Sequence, residues 1–360
     1  MVNILGLNAL SPWSLLQLLC GLALLVAGAE LLVRCAVRMA ANLKVRPLLI
    51  GLTLVAVGSS APQLTVSLQA ALNDTADIAV GSVIGSNIFN ILVTLGLSAL
   101  IIPLRVSRQL VRLDIPLMIL ASGLVFALAL NKQLDRLDGV VLLGGLLVYL
   151  ALLLRQSRHS GHHHPRHDLP RTSWLHNLVL MLAALLLLGL AGHLLLGAAV
   201  TLATELGLSE RIIGLTIIAV STSLPQLATS LIAAFRGQRE IAVGNVIGSN
   251  VFNLLGVLGL TALVAPAPLS VSPNALAFDL PVMLGVAALC LPVFYTGYRV
   301  TRGEGLLFLG LYLAYGLHVV SFTTGMPLAG KLEHLMLFFV LPALLLFLLL
   351  STLRAWRRQH

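Results

Sequence analysis

Long apolar segments alternate along the chain with short polar links, and the apolar segments have lengths close to that of a membrane-spanning helix. A helix needs about 20 predominantly apolar residues to cross the hydrocarbon core of a bilayer. Read between charged residues and turn signals, this pattern predicts eleven spans, at residues 13–34, 46–72, 78–101, 112–130, 138–154, 174–200, 211–235, 241–264, 276–296, 304–322 and 334–352. The predicted fold class is an all-α polytopic membrane protein.

The composition agrees with this fold and excludes several other classes. Charged residues make up 10% of the 360 residues and hydrophobic residues 58%, whereas an ordinary soluble domain has about 25% charged residues. A soluble globular enzyme, a disordered protein and a coiled coil are therefore excluded. The net charge of +9 does not indicate nucleic-acid binding, because the basic residues lie in small groups between apolar segments. The three cysteines have no C-x-x-C spacing, so no disulfide framework or zinc site is indicated.

The positive charges predict the orientation of the helices. Lys and Arg are enriched in the cytoplasmic loops of membrane proteins, and 18 of the 22 basic residues fall in links on one side of the predicted arrangement. We therefore expect an N-terminus outside and a C-terminus in the cytoplasm. The long polar stretch from Gln156 to Thr172 contains five histidines. We interpret it as a cytoplasmic linker, with zinc or nickel binding as the alternative.

The chain contains an internal repeat. Residues 51–97 and 214–260 are similar without a gap, and equivalent positions are 163 residues apart. Each copy is predicted to span five helices, and because five is odd the second copy enters the membrane from the opposite face. Such inverted repeats are typical of secondary transporters. The predicted units are a first repeat at 1–155, the linker at 156–173, a second repeat at 174–322, and an additional helix with a basic tail at 323–360.

Polar residues inside four of the predicted helices indicate a cation site. Pro62 and Pro225 lie in mid-helix, where proline removes a backbone donor, so each helix is expected to break or kink and to free carbonyl groups for a cation. Hydroxyl and amide side chains flank both prolines, and a second group follows in the next helix of each copy. Such oxygens suit hard cations, although each residue singly could serve only as an interhelical hydrogen bond. The predicted ring comprises Ser59, Ser60, Gln63, Ser86, Asn90, Thr222, Ser223, Gln226, Ser249 and Asn253.

Residues 58–63 with 81–90, and 221–226 with 244–253, resemble the two α-repeats of the sodium/calcium exchanger family, in the calcium/cation antiporter superfamily. The small prokaryotic members are the most similar, and their plan of ten helices leaves the eleventh as an addition. The resemblance implies an inner-membrane antiporter that exports calcium in exchange for sodium by alternating access, with helices 1 and 6 sliding across a static core. It implies that the ring, together with the backbone carbonyls of Ala56 and Ala219, binds the transported ions.

Two glutamines depart from the family pattern. Gln63 and Gln226 stand where the family has paired glutamates, and Asn253 replaces a residue that is acidic in some members. The predicted pocket therefore has no fixed negative charge. The idealised cost of desolvating an ion scales with the square of its charge, so it is about four times larger for a divalent ion. We therefore expect monovalent cations to bind better than calcium, and the alternative functions are monovalent-cation transport or loss of exchange.

Three acidic residues near the ends of predicted helices are interpreted as structural. Glu30 is interpreted as an i,i+4 partner of Arg34, and Asp114 and Asp279 as N-caps of helices 4 and 9, with gating as the alternative. A channel is disfavoured because a twofold inverted repeat does not make a ring of like residues around a pore. No H-E-x-x-H or G-x-S-x-G motif indicates an enzyme. The expected partners are Na⁺, Ca²⁺ and the lipid bilayer; no cofactor, nucleic acid or obligate protein partner is indicated.

Overall fold

The computed structural model describes residues 12–73, 75–159, 174–205, 219–295 and 297–323, which are almost entirely helical. The first half contains α1 (Pro12–Leu43), α2 (Pro47–Ile50), α3 (Ala56–Ser59), α4 (Ala61–Leu72), α5 (Ala76–Phe89), α6 (Gly96–Ile101), α7 (Ile115–Leu128) and α8 (Arg136–His159). The second half contains α9 (Trp174–Glu205), α10 (Ala219–Phe235), α11 (Arg239–Val251), α12 (Leu258–Val264), α13 (Leu280–Tyr295) and α14 (Arg302–Thr323).

Short segments of π-helix interrupt several of these helices. They join α2 to α3, α5 to α6 and α11 to α12, and they precede α7 and α13, at Gly51–Val55, Asn90–Leu95, Phe252–Val257, Leu110–Asp114 and Ala275–Asp279. A 3₁₀ turn, Ala129–Asn131, follows α7. Segments of π-helix within α-helices are frequent at functional sites, and two of these contain the ring residues Asn90 and Asn253.

The helices have the length and apolarity of membrane spans. Within the described residues, eight helices are long and apolar enough to cross a bilayer, or nine if the bent pair Pro47–Ser59 and Ala61–Leu72 forms one span. The helix Val220–Phe235 is apolar but shorter. The all-helical membrane architecture is thus confirmed. The expected span 334–352 lies outside the described residues, so the count of eleven stays a prediction.

The two segments that follow the proline-containing helices form the centre of the bundle. Ala76–Ile101 and Arg239–Val264 are the most buried spans of the described part, each with 83% of its apolar window inside the protein. Close packing of small residues makes this possible, as an added Cβ at Gly248 would lie 2.5 Å from the carbonyl oxygen of Leu52. Helix backbones can approach this closely where glycine has no side chain.

The long helices α1 and α9 pack along each other at the edge of the bundle. An added Cβ at Gly21 would lie 2.8 Å from the Leu195 side chain. A single ion-pair cluster fixes α1 to α10 in the described residues, because Glu30 accepts hydrogen bonds from both Arg34, at 2.5 Å, and Arg236, at 3.1 Å from Nε. The pair of Glu30 with Arg34 confirms the expectation, whereas the bond from Arg236 was not predicted.

Two pairs of very short strands add to the helical fold. β1 (Leu104–Arg105) pairs antiparallel with β4 (Arg299–Val300), and β2 (Gln133–Leu134) pairs with β3 (Leu269–Ser270). The all-α prediction did not include them, because strands of two residues leave no alternating pattern in a sequence. Each pair joins a loop of the first half to a loop of the second half, and in both cases the two loops were expected on the same side of the membrane.

The two prolines affect their helices differently. The span that contains Pro62 is interrupted at Ser60, between α3 and α4, and its two parts are bent by 41° relative to each other. The expected break is therefore present beside Pro62, and Ser59 and Gln63 belong to two different helices, α3 and α4. In contrast, α10 continues through Pro225 as one helix, so the break expected there is absent.

The interpretation of Asp114 and Asp279 as N-caps is wrong. Each residue ends a π-helical segment that already continues into the next helix, and Asp114 makes no capping hydrogen bond. Both carboxylates instead point into the protein. Asp114 accepts a hydrogen bond from the Tyr149 hydroxyl at 3.5 Å, and Asp279 accepts one from the Tyr315 hydroxyl at 3.1 Å. The helices begin earlier than the sequence indicated, because π-helical turns precede the prolines.

The linker expected at 156–173 begins later than predicted. α8 continues as helix to His159, so the first four residues of that range are helical. The remaining linker, 160–173, with its other histidines, lies outside the described residues.

Candidate functional site

The predicted ring residues converge on the centre of the bundle, where α3 and α4 meet α5, α10 and α11. Every ring side chain is buried, with Thr222 the most accessible at 3% exposure. Ala56 is fully buried as well, and Ala219 is the first residue of α10. The site therefore consists of polar groups that have been removed from both lipid and bulk water, which is costly unless they find partners.

Side chains of the two copies bind each other directly. Ser86 lies 2.7 Å from Ser223 between their hydroxyl oxygens, and Gln226 Nε2 donates to the Ser60 hydroxyl at 3.3 Å. Ser59 lies 3.4 Å from Ser249. These contacts join residues that are more than 130 positions apart in the sequence, so the ring is formed only by the tertiary fold.

The backbone carbonyl of Ala56 lies within reach of hydroxyl groups from both copies. It accepts a hydrogen bond from the Ser60 N–H at 3.1 Å, and Ser249 Oγ lies 3.4 Å and Ser59 Oγ 3.3 Å from the same oxygen. Both hydroxyl contacts are long for a hydrogen bond, and the Ser59 proton is directed to Asn245 instead. A cation that replaced these weak bonds would find a carbonyl oxygen already directed toward the centre of the site.

Four amide oxygens in the ring have no hydrogen-bond partner among the described residues. They are Gln63 Oε1, Asn90 Oδ1, Gln226 Oε1 and Asn253 Oδ1, and all are buried. The set is symmetric, since Gln63 is equivalent to Gln226 and Asn90 to Asn253. A buried acceptor without a partner costs about 1–3 kcal/mol, and such groups in a folded protein require an explanation. A desolvated cation is one kind of ligand that would satisfy such oxygens.

The amide nitrogens of the same residues donate hydrogen bonds, so the oxygen is the unengaged side of each amide. Gln63 Nε2 donates to Ser82 Oγ at 2.9 Å and to Ser67 Oγ at 3.2 Å. Ser82 and Ser67 are not among the residues that the sequence predicted for the ring. The available signal was their polarity inside apolar helices, at positions equivalent to the polar residues Asn245 and Ser230 of the second copy.

Asn245 was also missed, and it connects three parts of the site. Its Oδ1 accepts a hydrogen bond from Ser59 at 2.9 Å, and its Nδ2 donates to Ser230 Oγ at 2.9 Å and to the backbone oxygen of Gln226 at 3.2 Å. The residue is fully buried. It therefore holds the polar end of α3 against α10, the helix of the second copy that contains Pro225.

No carboxylate takes part in the ring contacts among the described residues. Asp114 and Asp279 bind tyrosines of α8 and α14, and Glu30 binds Arg34 of α1 and Arg236, which directly follows α10. No group of three or more His, Cys, Asp or Glu that could hold a metal ion occurs in the described part of the chain. The donors around the four amide oxygens are neutral hydroxyl and amide groups.

The described residues form a bundle of apolar helices with buried polar oxygens at its centre that have no hydrogen-bond partner there. Such an arrangement defines an ion-transport protein of the membrane rather than an enzyme. The family model described as "Sodium/calcium exchanger protein" matches residues 13–155 and 176–321. The chain belongs to the sodium/calcium exchanger family.

Individual relatives agree with this assignment. The chain is 39% identical to the "Putative antiporter CaxA" of Alkalimonas amylolytica over 307 residues, which cover 82% of this chain and 95% of the relative. It is 30% identical over 342 residues to the "Sodium/calcium exchanger MaX1" of Methanosarcina acetivorans, covering 83% of this chain and 96% of the relative. A solved structure of the sodium-calcium exchanger NCX_Mj superposes with a TM-score of 0.73 at 31% identity, over 84% of this chain and 97% of that chain.

Proposed function

We propose that this chain is a secondary cation antiporter whose central site binds a monovalent cation in preference to Ca²⁺. The observation that carries the proposal is the set of four buried amide oxygens without partners, two from each copy of the repeat. A cation bound among them would be ligated by neutral carbonyl dipoles, as in filters made of carbonyl oxygens. The Ala56 carbonyl and the ring hydroxyls, together with Ala219 and Thr222 on α10, would complete the ligand set.

The charge of the site supports the preference for a monovalent ion. Four amide oxygens supply partial negative charge but no net charge, and the Glu-to-Gln differences at positions 63 and 226 remove two carboxylates relative to the family pattern. Because desolvation penalises Ca²⁺ about four times as strongly as Na⁺ in the idealised treatment, neutral ligands recover a smaller share of the divalent cost. Na⁺ is the first ion to test.

Alternating access accounts for the different conformations of the two copies. The first copy is broken at Ser60, and the second continues through Pro225. In an inverted-repeat transporter, the two halves exchange conformations as the site opens to one side and then to the other. We propose two inverted five-helix repeats, 1–155 and 174–322, with an additional helix in 323–360. The pairing of loops through β1–β4 and β2–β3 is consistent with this topology.

We place the protein in the inner membrane of a prokaryote, with its N-terminus outside and its C-terminus in the cytoplasm. The asymmetric distribution of basic residues supports this orientation. Its partners are then inorganic cations and the surrounding lipid, and no bound cofactor is required for ion exchange.

Export of Ca²⁺ in exchange for Na⁺ is the second candidate. The names of MaX1 and NCX_Mj state this pair of ions for those proteins. Hydroxyl and amide oxygens also ligate Ca²⁺ in other sites, so the ring chemistry permits it. A relative that has lost exchange is the remaining alternative.

The test is tracer uptake into proteoliposomes for the unmodified protein and for the double variant Gln63→Glu/Gln226→Glu. We expect saturable Na⁺ exchange and weak Ca²⁺ uptake for the unmodified protein. For the double variant we expect a Ca²⁺ affinity at least about tenfold higher, because each restored carboxylate adds a full negative charge beside the divalent ion. Gln69→Glu is the matched control, because Gln69 lies on α4 but is exposed. Tight, saturable, Na⁺-dependent Ca²⁺ uptake by the unmodified protein would overturn the monovalent preference.

A further inference from the structure

Four asparagines form a closed hydrogen-bond network between α5 and α11. Asn87 Nδ2 donates to the backbone oxygen of Asn250 at 3.3 Å, and Asn250 Nδ2 donates to the backbone oxygen of Asn87 at 3.2 Å. Both residues are buried, and they occupy equivalent positions of the two copies. The exchange is reciprocal, so each copy supplies to the other the same bond that it receives.

The side-chain oxygens of this pair bind the ring asparagines in a crossed pattern. Asn90 Nδ2 donates to Asn250 Oδ1 at 3.0 Å, and Asn253 Nδ2 donates to Asn87 Oδ1 at 3.0 Å and, in a longer contact, to Ser86 Oγ at 3.5 Å. Each ring asparagine is therefore held by the opposite copy. Because the nitrogen of each amide is engaged in this way, the oxygens of Asn90 and Asn253 are left facing away from the bond, and these are two of the four unpartnered oxygens.

We propose that Asn87 and Asn250 are positioning residues that orient the amides of Asn253 and Asn90, respectively, so that their oxygens face the transported cation. The inference rests on the proposed function. An amide side chain presents a donor on one side and an acceptor on the other. Without an acceptor at its nitrogen, the side chain can turn and direct N–H groups toward the site, where they repel a cation.

The crossed pattern has a consequence for transport. The oxygens of Asn90 and Asn253 remain oriented only while α5 and α11 stay in contact, because both anchoring bonds cross between these helices. We therefore expect this contact to be kept while the cation is bound, in agreement with the static core that the family resemblance implies. Gly244 and Gly248, six and two residues before Asn250 on α11, pack closely against the backbone of Leu48 and Leu52, which agrees with a rigid centre.

Hydrogen bonds that merely hold two helices together are the competing explanation, and double variants separate the two. If Asn250 acts through Asn90, then Asn250→Ala should raise the half-saturating Na⁺ concentration about tenfold, and adding Asn90→Ala should have little further effect. If Asn253→Ala is added to Asn250→Ala instead, the fold-changes in the half-saturating Na⁺ concentration of the two single variants should multiply. Asn87→Ala should show the mirror-image pattern, with no further effect from Asn253→Ala and a full effect from Asn90→Ala.

The readout is the half-saturating Na⁺ concentration for tracer exchange in proteoliposomes, with maximal rate and thermal stability in detergent measured on the same samples. Asn250→Asp covers the case in which the alanine variant does not fold, because it keeps the volume and the acceptor for Asn90. In that variant Asn90→Ala should still weaken Na⁺ binding. The inference would be overturned if the fold-changes of the single variants multiplied equally in all four double alanine variants. It would also be overturned if adding Asn90→Ala to Asn250→Asp left the half-saturating Na⁺ concentration unchanged. Absence of Na⁺ exchange in the unmodified protein would instead count against the proposed function.

Discussion

Gln63 and Gln226 occupy equivalent positions in the two copies of the repeat, but their amides are anchored in different ways. Gln63 donates to Ser82 and Ser67 within its own copy, whereas Gln226 donates to Ser60 of the other copy. Both oxygens are nevertheless buried, and neither has a hydrogen-bond partner in the described part of the chain. Two different sets of contacts therefore produce the same feature, an amide oxygen that is available to a cation.

The backbones of the two copies differ at the same place. The first copy has Gly58 where the second has Ser221, and the Leu185 side chain of α9 lies against Gly58, within 2.4 Å of the position that a Cβ would occupy. The first copy is bent beside this contact, and the second is not. A proline permits a break in a helix, but the two equivalent prolines have different outcomes here, so the proline by itself does not determine the break.

Packing around Gly244 is tight. An added Cβ at Gly244 would lie 2.9 Å from the Leu48 carbonyl oxygen and 3.2 Å from the Leu52 nitrogen. The second copy thus packs its central helix α11 directly against the backbone of the first copy. Among the described residues, no atom lies within 4 Å of the equivalent position at Gly81, and the residues equivalent to Leu48 and Leu52 lie outside the described part of the chain.

The largest effect is expected from a change in this glycine contact. Gly244→Ala should destabilise the protein by about 1–3 kcal/mol, because backbone atoms rather than flexible side chains must move. Gly81→Ala should change stability by less than about 1 kcal/mol. Thermal unfolding of the monodisperse protein in detergent measures both. Equal losses for the two variants would show that the copies are packed alike at these positions.

A smaller difference is expected between the single variants Gln63→Glu and Gln226→Glu. A carboxylate at position 63 can accept hydrogen bonds from two serine hydroxyls, those of Ser82 and Ser67, whereas a carboxylate at 226 faces the hydroxyl of Ser60 alone. A hydrogen bond to a charged group contributes about 1.5–3 kcal/mol, so the buried charge is better stabilised at position 63. Gln63→Glu should therefore express at a higher level of folded protein and bind Ca²⁺ about tenfold more tightly than Gln226→Glu, as measured by tracer uptake. The reverse order would contradict the assignment of these partners.

The smallest effect concerns the links between the proline helices and the central helices. The second copy has Arg236 in this link, bound to Glu30 of α1, whereas the equivalent link of the first copy has no Lys or Arg. Glu30→Gln should lower stability by less than about 1 kcal/mol, because the pair is partly exposed. Arg34→Gln is the control and should cost less, since Arg236 still binds the carboxylate. Thermal unfolding at low and high salt checks both, and an effect of Glu30→Gln that is insensitive to salt would argue against an ion pair.

The apolar segments, the repeat and the identity of the ring residues could all be read from the sequence. Hydrophobic length predicts membrane helices directly, because lipid provides no hydrogen bonds and the backbone must satisfy its own. The spacing of 163 residues between Asn90 and Asn253 follows from the repeat alone. Positions of helix ends were less accurate, since π-helical turns before Pro116 and Pro281 leave no signal in the pattern of polar residues.

Other features of the site depended on contacts between distant parts of the chain. Nothing in the sequence states that Asn250 holds Asn90, that Ser60 rather than Asn245 holds the Gln226 side chain, or that the helix breaks at Pro62 and continues through Pro225. The hydrogen-bond partners are settled by which neighbour comes within about 3 Å of a polar group, whereas the break beside Pro62 occurs where the Leu185 side chain packs against Gly58. Identical residues in the two copies meet different neighbours, so their hydrogen bonds and backbone geometry differ while their sequences remain alike.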